Sequence, residues 1–230
     1  MPRALPLLVV TALLYPVIAP AEEALPPTAH PDASDWTPLF ADDLSNAKAP
    51  KDVWTFEDGI LTASKDQNIW TAKEYDDFIL DLEFKLDAGT NSGVFVYNTD
   101  LKKWIDYSIE VQILDDGHPS WANVPPTWKC GAFFGLKPPA KAAGKKPGEW
   151  NRMTITCRDQ RINVLLNGQA VNQIDLSRWT SARKNPDGSD IPPWFKVPKA
   201  DIPTRGRVGL QGKHGNVPIY FRNLKIRELK

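Results

Sequence analysis

The feature of this sequence that most constrains its fold is a nine-residue segment in which every second residue is large and apolar. In residues 78–86 the apolar residues of this series are Phe78, Leu80, Leu82, Phe84 and Leu86. Asp81, Glu83 and Lys85 lie between them. Successive side chains of a β-strand point to opposite faces of a sheet, so this pattern predicts a strand with one face in a core.

Similar short segments recur along the chain and are separated by turn signals. We predict further strands over residues 53–56, 60–63, 92–97, 107–114, 151–158, 161–166, 207–212 and 219–229. Asp58-Gly59 and Asn167-Gly168 are residue pairs that tight hairpin turns prefer. Long helical patterns are scarce. Strands that recur at this spacing indicate an all-β sandwich or barrel.

The first 21 residues have the pattern of an export signal. Arg3 supplies a positive charge, an apolar run extends from Ala4 to Ile18, and Ala19-Pro20-Ala21 is a small-residue cleavage site. Two prolines interrupt the run, which is shorter than the ~20 apolar residues that span a bilayer. We expect cleavage near Ala21 and a periplasmic or secreted protein with no membrane span in the mature chain. A retained anchor is the alternative.

The rest of the chain is predicted to form one domain. Residues 22–35 are rich in proline, alanine and acidic residues without periodicity, which predicts a flexible lead-in. Residues 36–230 have a length that all-β domains commonly reach. Basic and acidic residues number 28 each, so the protein carries no net charge. Nucleic acid and anionic membranes favour basic surfaces, and neither is expected as a partner.

The two cysteines, Cys130 and Cys157, leave two interpretations open. An oxidising compartment permits a disulfide between them. Cys157 also continues the apolar phase of Met153 and Ile155, which is the pattern of a small core residue.

Two long segments interrupt the succession of strands. Residues 117–129 contain Trp121 and Trp128, and residues 178–205 contain Trp179 and Trp194. Loops of this length are usually functional or disordered. Disordered segments are poor in aromatic residues, so the tryptophans predict ordered loops rather than a second domain.

The strand over residues 107–114 carries the first candidate site. Ile109, Val111 and Ile113 share one face, whereas Glu110 and Gln112 lie one pleat apart on the other. A carboxylate beside an amide can hold sugar hydroxyls, and a desolvated carboxylate can act as an acid or a base. The alternative is an ordinary solvated face, which antiparallel sheets often expose.

The second candidate site lies near the end of the chain. His214 precedes Gly215 in a turn between the last two predicted strands, which suits a titrating histidine better than a packing one. Arg222 has the opposite phase to Ile219 and Phe221 and therefore faces away from the core. The alternative for His214 is an exposed turn residue without a function.

Several signals for other chemistries are missing. The sequence has no nucleophile elbow, no zinc-protease motif and no phosphate-binding glycine loop. Three histidines and two cysteines are few for a structural zinc site. Asp115-Asp116-Gly117 could suggest calcium, but such a triplet is more often a turn. No cofactor and no metal ligand are predicted, although a divalent cation is left open.

A series of short motifs lies within residues 36–229. The motifs are W-x-F-x-D-G-x-L at 54–61, Y-x-D-F-x-L-x-L-E-F-x-L at 75–86, NSGVF at 91–95, the strand at 107–115, GAFFGL at 131–136, GEWN at 148–151, HG at 214–215 and FRNL at 221–224. In this order they resemble one known family, the 3-keto-disaccharide hydrolase domain, long labelled a domain of unknown function.

The resemblance implies an antiparallel jelly roll of two sheets, similar to concanavalin A, in exported bacterial proteins. It also implies cleavage of glycosides whose sugar is oxidised at carbon 3. A ketone at carbon 3 acidifies the hydrogen on carbon 2, so a base can remove it while the aglycone leaves carbon 1. Water then adds back. Such a site needs a base, a donor toward the enolate oxygen and an acid for the leaving group.

On face and position, we assign Glu110 or His214 as the base, with Gln112 and Arg222 holding the ketone or neighbouring hydroxyls. Further candidates for substrate binding are Asn91, Glu83, Asp116, Trp128 and Trp121. The expected partner is therefore an oxidised glycoside.

The sequence departs from the family pattern at the last turn. Members often have Gln-Asp-His-Gly there, whereas Gly212-Lys213 precedes His214 here, so an acidic residue is missing. If that acid orients the histidine or binds a cation, this protein has lost or replaced it. Cys130 also stands where a threonine is expected.

Two other functions compete with an enzyme. The first is a carbohydrate-binding module, because jelly rolls serve lectins as readily as enzymes. Trp104, Trp121, Trp128 and Trp194 could stack on sugar rings, although tryptophans in sandwiches more often pack structurally. The second is a scaffold domain in an envelope complex.

Overall fold

The structure, a computed structural model, describes residues 29–229 as two antiparallel sheets packed face to face. The strands are β1 (Thr37–Pro38), β2 (Ala47–Lys48), β3 (Trp54–Glu57), β4 (Ile60–Ala63), β5 (Ile69–Thr71), β6 (Phe78–Leu86), β7 (Asn91–Asn98), β8 (Ile109–Leu114), β9 (Trp150–Arg158), β10 (Arg161–Leu166), β11 (Gln169–Asp175), β12 (Arg207–Leu210) and β13 (Ile219–Glu228). The predicted all-β, two-sheet jelly roll is confirmed.

The larger sheet has the order β11-β10-β9-β6-β13-β4-β3, with β1 paired to β13, and the smaller sheet has the order β2-β5-β12-β7-β8. Strand β6 lies where predicted, and its Phe78, Leu80, Leu82 and Phe84 are fully buried. From the other sheet, Ile109, Val111 and Ile113 of β8 are buried against the same core. Each sheet therefore has an inner apolar face and an outer face that is free to carry polar groups.

The hairpin turns follow the sequence signals. Asp58 and Gly59 have φ of 52° and 74°, and Asn167 and Gly168 have φ of 50° and 76°. A type I′ turn requires positive φ at both central residues, which asparagine, aspartate and glycine tolerate. The turns set the registers of β3 with β4 and of β10 with β11.

Part of the predicted flexible lead-in is held on the larger sheet. His30 Nδ1 lies 2.8 Å from Thr154 Oγ1, and the amide of Gly168 donates to His30 Nε2 at 2.8 Å. Arg152 donates to the carbonyl of Pro31. Within the predicted lead-in, His30 and Pro31 therefore have partners on side chains of β9 and in the β10–β11 turn. The predicted export signal lies outside the described residues.

Both cysteines are free thiols and are buried. Cys157 occupies the core position that its strand phase indicated, so the structure supports that interpretation rather than the disulfide. Burial raises the pKa of Cys130 to about 12.

The two long segments are ordered and contact each other. Trp128 packs on Phe134 at 5.0 Å and on Trp194 at 5.9 Å between ring centroids, and Phe134 contacts Phe195 at 6.4 Å. Short 3-10 helices at Pro119–Trp121, Pro126–Trp128, Leu176–Arg178 and Lys199–Asp201 shape these loops. Within residues 29–229, no helix has the length and hydropathy needed to cross a bilayer.

Candidate functional site

The outer face of the five-stranded sheet gathers most of the predicted site residues. Strand pairing places Glu110 opposite Phe95 and Gln112 opposite Gly93 on β8 and β7. Asn91, at the start of β7, pairs with His214 just beyond β12. All of these residues lie on strands or turns of one sheet, and the side chains of Glu110 and Gln112 point away from the core.

The Glu110 carboxylate lies over Gly93 on the neighbouring strand. A methyl group at position 93 would overlap Glu110 Oε1 and would lie 2.9 Å from Cδ and Cγ. Phe95, Trp104 and Phe134 are among its apolar neighbours in a small cavity. Among residues 29–229, no group donates a hydrogen bond to this carboxylate. Burial raises the pKa of Glu110 to about 8, against a lowering effect of Lys199.

Gln112 acts on its neighbour rather than on the open surface. Its side chain is only 2 % exposed, and its Nε2 donates to Asn91 Oδ1 at 2.9 Å. An amide nitrogen can only donate, so this contact fixes the oxygen of Asn91 toward Gln112. Asn91 Nδ2 is then the atom available as a donor on the outer face.

A cleft of about 790 Å³ opens on the same face. It is lined by Lys48, Ala49, Pro50, Asp66, Gln67, Asn68, Trp70, Leu101, Trp104, Gln211 and His214. Trp70 and Trp104 form an aromatic floor of the cleft, and the fully buried Phe95 ring packs against both, at 5.2 Å and 4.9 Å between ring centroids. Aromatic floors of this kind suit the apolar faces of ring-shaped ligands.

Glu110 lies next to this cleft. Trp104 lines both the cleft and the cavity that holds Glu110. The backbone N–H of Gln211, another cleft residue, donates to the backbone carbonyl of Gly93. Gly93 is the residue over which the Glu110 carboxylate lies. The carboxylate is therefore one strand away from the cleft wall.

His214 has an acidic partner that sequence reasoning missed. His214 Nδ1 lies 2.8 Å from Asp66 Oδ2, in the segment between β4 and β5. An ionised carboxylate only accepts, so Nδ1 carries a proton and Nε2 is the atom left to exchange one. Asp66, from a distant part of the chain, thus supplies an acidic partner to His214.

Arg222 and Glu83 do not belong to this face. They are paired neighbours on β13 and β6 of the larger sheet, and Arg222 Nε donates to Glu83 Oε2 at 2.5 Å. The guanidinium also lies 4.0 Å from the Trp150 ring centroid. The expectation that Arg222 acts with Glu110 and Gln112 is wrong, because the two groups lie on the outer faces of different sheets.

The other predicted residues lie in the long loops. Asp116 accepts hydrogen bonds from the amide of Cys130 at 3.0 and 3.3 Å, and burial raises its pKa. Trp121 donates to the carbonyl of Gly89 at 3.0 Å. Trp128 packs within the aromatic cluster of the two loops. Asp116 and Trp121 serve loop structure, and none of the three lines the cleft.

Comparison with known proteins identifies the family. Residues 35–227 match the family described as 3-keto-alpha-glucoside-1,2-lyase-like domain, which is the family that the sequence motifs indicated. The chain belongs to this family. No protein of curated function matches it significantly.

Solved structures agree with this membership. The chain is similar to a candidate glycosyl hydrolase from Parabacteroides distasonis ATCC 8503 at 54% identity, covering 84% of this chain and 99% of that chain with a TM-score of 0.82. A second candidate glycosyl hydrolase from the same organism has 23% identity, coverage of 81% and 90%, and a TM-score of 0.67. The latter shows the shared fold.

A carbohydrate-binding module, CBM66 from Bacillus subtilis, shares the fold of this chain. It has 8% identity, coverage of 82% of this chain and 99% of that chain, and a TM-score of 0.50.

Within residues 29–229, no group of three or more histidine, cysteine, aspartate or glutamate residues is arranged to hold a metal ion.

Proposed function

We propose that this protein is an exported, carbohydrate-active enzyme that cleaves 3-keto-glycosides by elimination, with Glu110 as the base. The observation that supports this most is the Glu110 carboxylate, which has no hydrogen-bond donor among residues 29–229 and lies beside an aromatic cleft. An acid with a pKa raised toward neutrality is a stronger base when ionised than an ordinary carboxylate.

In the proposed reaction, the Glu110 carboxylate takes the proton from carbon 2 of the 3-keto sugar. The C2–H electrons form the C1=C2 double bond while the bond from carbon 1 to the glycosidic oxygen breaks and the aglycone leaves. The product is an unsaturated 3-keto sugar. Water can then add across C1=C2, which restores carbon 2 with a hydrogen and places a hydroxyl on carbon 1.

His214 is proposed as the acid for the departing oxygen. It acts as the imidazolium, with Nδ1–H held by Asp66 and Nε2–H free to donate, and the residue lines the cleft. Asn91 Nδ2 is proposed as the donor toward the enolate oxygen, because Gln112 fixes the orientation of the Asn91 amide. The floor of Trp70 and Trp104 would support the sugar ring between these groups.

The arrangement argues against hydrolysis by paired acids. The carboxylates among the residues that line the cleft and the Glu110 cavity are Asp66 and Glu110. Asp66 is bound to His214, so Glu110 faces no second free carboxylate there. Glycosidases of the paired-acid type need two carboxyl groups flanking the bond, whereas elimination needs one base and one acid.

The test is turnover of an aryl 3-keto-glucoside by the purified protein starting at Glu22, with and without a chelator. Release of the aryl alcohol, with none from the matched aryl glucoside, is the expected result. Loss of turnover with chelator would show a metal requirement. An intact aryl glucoside cleaved equally well would contradict the proposal.

A carbohydrate-binding module is the second candidate, because the aromatic floor alone would bind sugar. Binding of the 3-keto-glucoside in calorimetry without any turnover would favour it. Neither binding nor turnover would leave a scaffold role in an envelope complex.

Replacing Asp66, the partner of His214, is expected to lower kcat by less than the loss of a catalytic acid or base. We expect Asp66→Asn to lower kcat about tenfold, less than the 10²–10⁴ typical of an acid or base itself, because the protonated ring loses the carboxylate that orients it but keeps Nε2–H. Asp190→Asn is the matched control, since Asp190 is an exposed carboxylate paired with Lys184. Equal losses in both variants would remove Asp66 from the proposed site.

A further inference from the structure

Lys199 is a buried lysine beside the candidate site, and its ammonium group is held by backbone oxygens. It begins the 3-10 helix Lys199–Asp201 near the end of the long 178–205 segment and is 2 % exposed. Its Nζ donates to the carbonyls of Ile105, Asp106 and Ser108 at 3.1, 2.9 and 3.2 Å. An ammonium has three hydrogens, so this cage uses all of them.

The cage lies immediately before Glu110 in the chain, at the entry to β8. Lys199 and Glu110 line the same small cavity, and its other lining residues are not ionisable. The Phe195 ring is 4.4 Å from Lys199 Nζ on one side. Asp106 is the other carboxylate that acts on Lys199. The charge of Lys199 therefore faces one carboxylate inside the cavity and one outside it.

We propose that Lys199 is a positioning residue for Glu110. The positive charge of its ammonium, held in place by the three carbonyls, stabilises the ionised Glu110 carboxylate. This stabilisation depends on the folding of residues 178–205, which contain Lys199. This inference rests on Glu110 being the base proposed above. It also gives a function to residues 178–205, which contribute no strand, since this segment places the Lys199 ammonium in the cavity that holds Glu110.

The electrostatics agree with the geometry. Burial raises the pKa of Glu110, and Lys199 opposes this rise. Burial lowers the pKa of Lys199 to about 8, while Asp106 and Glu110 act to raise it. Buried charges interact more strongly than exposed ones because little water screens them. Each group thus favours the charged form of the other.

The direct test measures the two ionisations in the purified full-chain protein. Carbon-13 NMR of labelled glutamate carboxyls gives the pKa of Glu110, with Glu110→Gln identifying its signal. We expect Lys199→Met to raise this pKa by about one unit, the lower end for loss of a nearby opposite charge. Lys184→Met, which removes an exposed lysine charge from the same segment, is expected to leave it unchanged.

The reciprocal measurement keeps the proposal testable if Lys199→Met does not fold. Coupling between two sites is equal in both directions. Glu110→Gln is therefore expected to lower the pKa of Lys199, followed by its labelled Cε signal, by a similar amount. An unchanged Lys199 pKa in this variant would overturn the proposal.

Activity provides a separate readout. A higher pKa for Glu110 moves the acid limb of kcat/KM upward by the same amount, so at pH 7 we expect Lys199→Met to lose about tenfold in rate and to recover much of it above pH 9. Lys199→Arg, which keeps the charge, should retain most of the wild-type profile. A loss that is equal at every pH would indicate a structural role only. If the wild-type protein shows no turnover but the NMR shifts are found, the proposed function fails while the coupling of Lys199 to Glu110 stands.

Discussion

Glu110→Gln is expected to lower kcat for a 3-keto-glucoside by about 10³-fold, within the range for loss of a general base, while substrate affinity stays within about threefold. Glutamine has nearly the same size and cannot accept the carbon-2 proton. The carboxylate lies among apolar rings and over Gly93, and it receives no hydrogen bond from residues 29–229. The substitution therefore leaves no donor without its acceptor. The measurement is steady-state turnover together with calorimetric binding.

The matched control is Glu83→Gln. Glu83 is also an outward-facing glutamate at the centre of a long antiparallel pairing, but it lies on the larger sheet and pairs with Arg222. We expect this variant to keep wild-type turnover. A large loss in Glu83→Gln and none in Glu110→Gln would move the active site to the other sheet.

The pH dependence of turnover by the wild-type protein also tests the assignment of Glu110 as the base. Only the ionised carboxylate can take a proton, and the pKa of Glu110 is raised to about 8. Turnover should therefore rise about tenfold per pH unit below this value, up to the pH at which the acid for the leaving oxygen loses its proton. A rate that is flat between pH 5 and 8 would contradict Glu110 as the base.

Stability should change with pH in the opposite sense. A carboxyl group whose pKa is raised by folding stabilises the fold fully below its unfolded pKa, and this contribution is lost as pH rises through the folded pKa near 8. Glutamine carries no such dependence. The melting temperature of Glu110→Gln should therefore increase relative to that of the wild type between pH 5 and pH 9.

Local pattern predicted the strands well where their alternation is long or their turns are distinctive. Strand β6 and the β3–β4 hairpin lie where the sequence placed them. Strands β5 and β11 were not predicted. β5 has three residues, all buried, and β11 contains more polar than apolar side chains, so neither shows a period of two.

Phase identified outward-facing residues but not the sheet to which they belong. Glu110 and Arg222 both point away from the core, yet they lie on different sheets. In a sandwich every strand has one outer face, and the assignment of strands to sheets depends on pairing between distant segments. A period-two pattern contains no information on that pairing.

Asp66 shows the same limit for a single contact. It lies in an irregular segment between β4 and β5, and 148 positions separate it from His214. No local pattern marks it as a partner. The departure at Gly212-Lys213 removed the local acidic residue expected beside His214, and the fold brings an acidic side chain to this histidine from elsewhere.

Gly93→Ala is expected to lower turnover about 10²-fold without unfolding the protein, because a displacement of about 1 Å in a reacting group can cost that much. The new methyl group would overlap the end of the Glu110 side chain and force the carboxylate away from its position over β7. Gly93 is not among the glycines with positive φ, so its backbone accepts alanine. Glycine-to-alanine changes at compatible positions tend to stabilise by about 0.4–1 kcal/mol, which offsets part of the crowding.

The control is Gly144→Ala, where the added methyl group would meet Cys130 Sγ at an ordinary distance of 3.9 Å. It should keep both activity and melting temperature. The double variant Gly93→Ala/Glu110→Gln separates displacement of the base from any other effect of the methyl group. If Gly93 acts only through Glu110, the double variant should be no slower than Glu110→Gln alone, since residues that share one mechanism are not additive. A further loss of tenfold or more would show that the methyl group itself blocks the substrate. Gly93 would then belong to the substrate-binding surface rather than only determining the position of the Glu110 carboxylate.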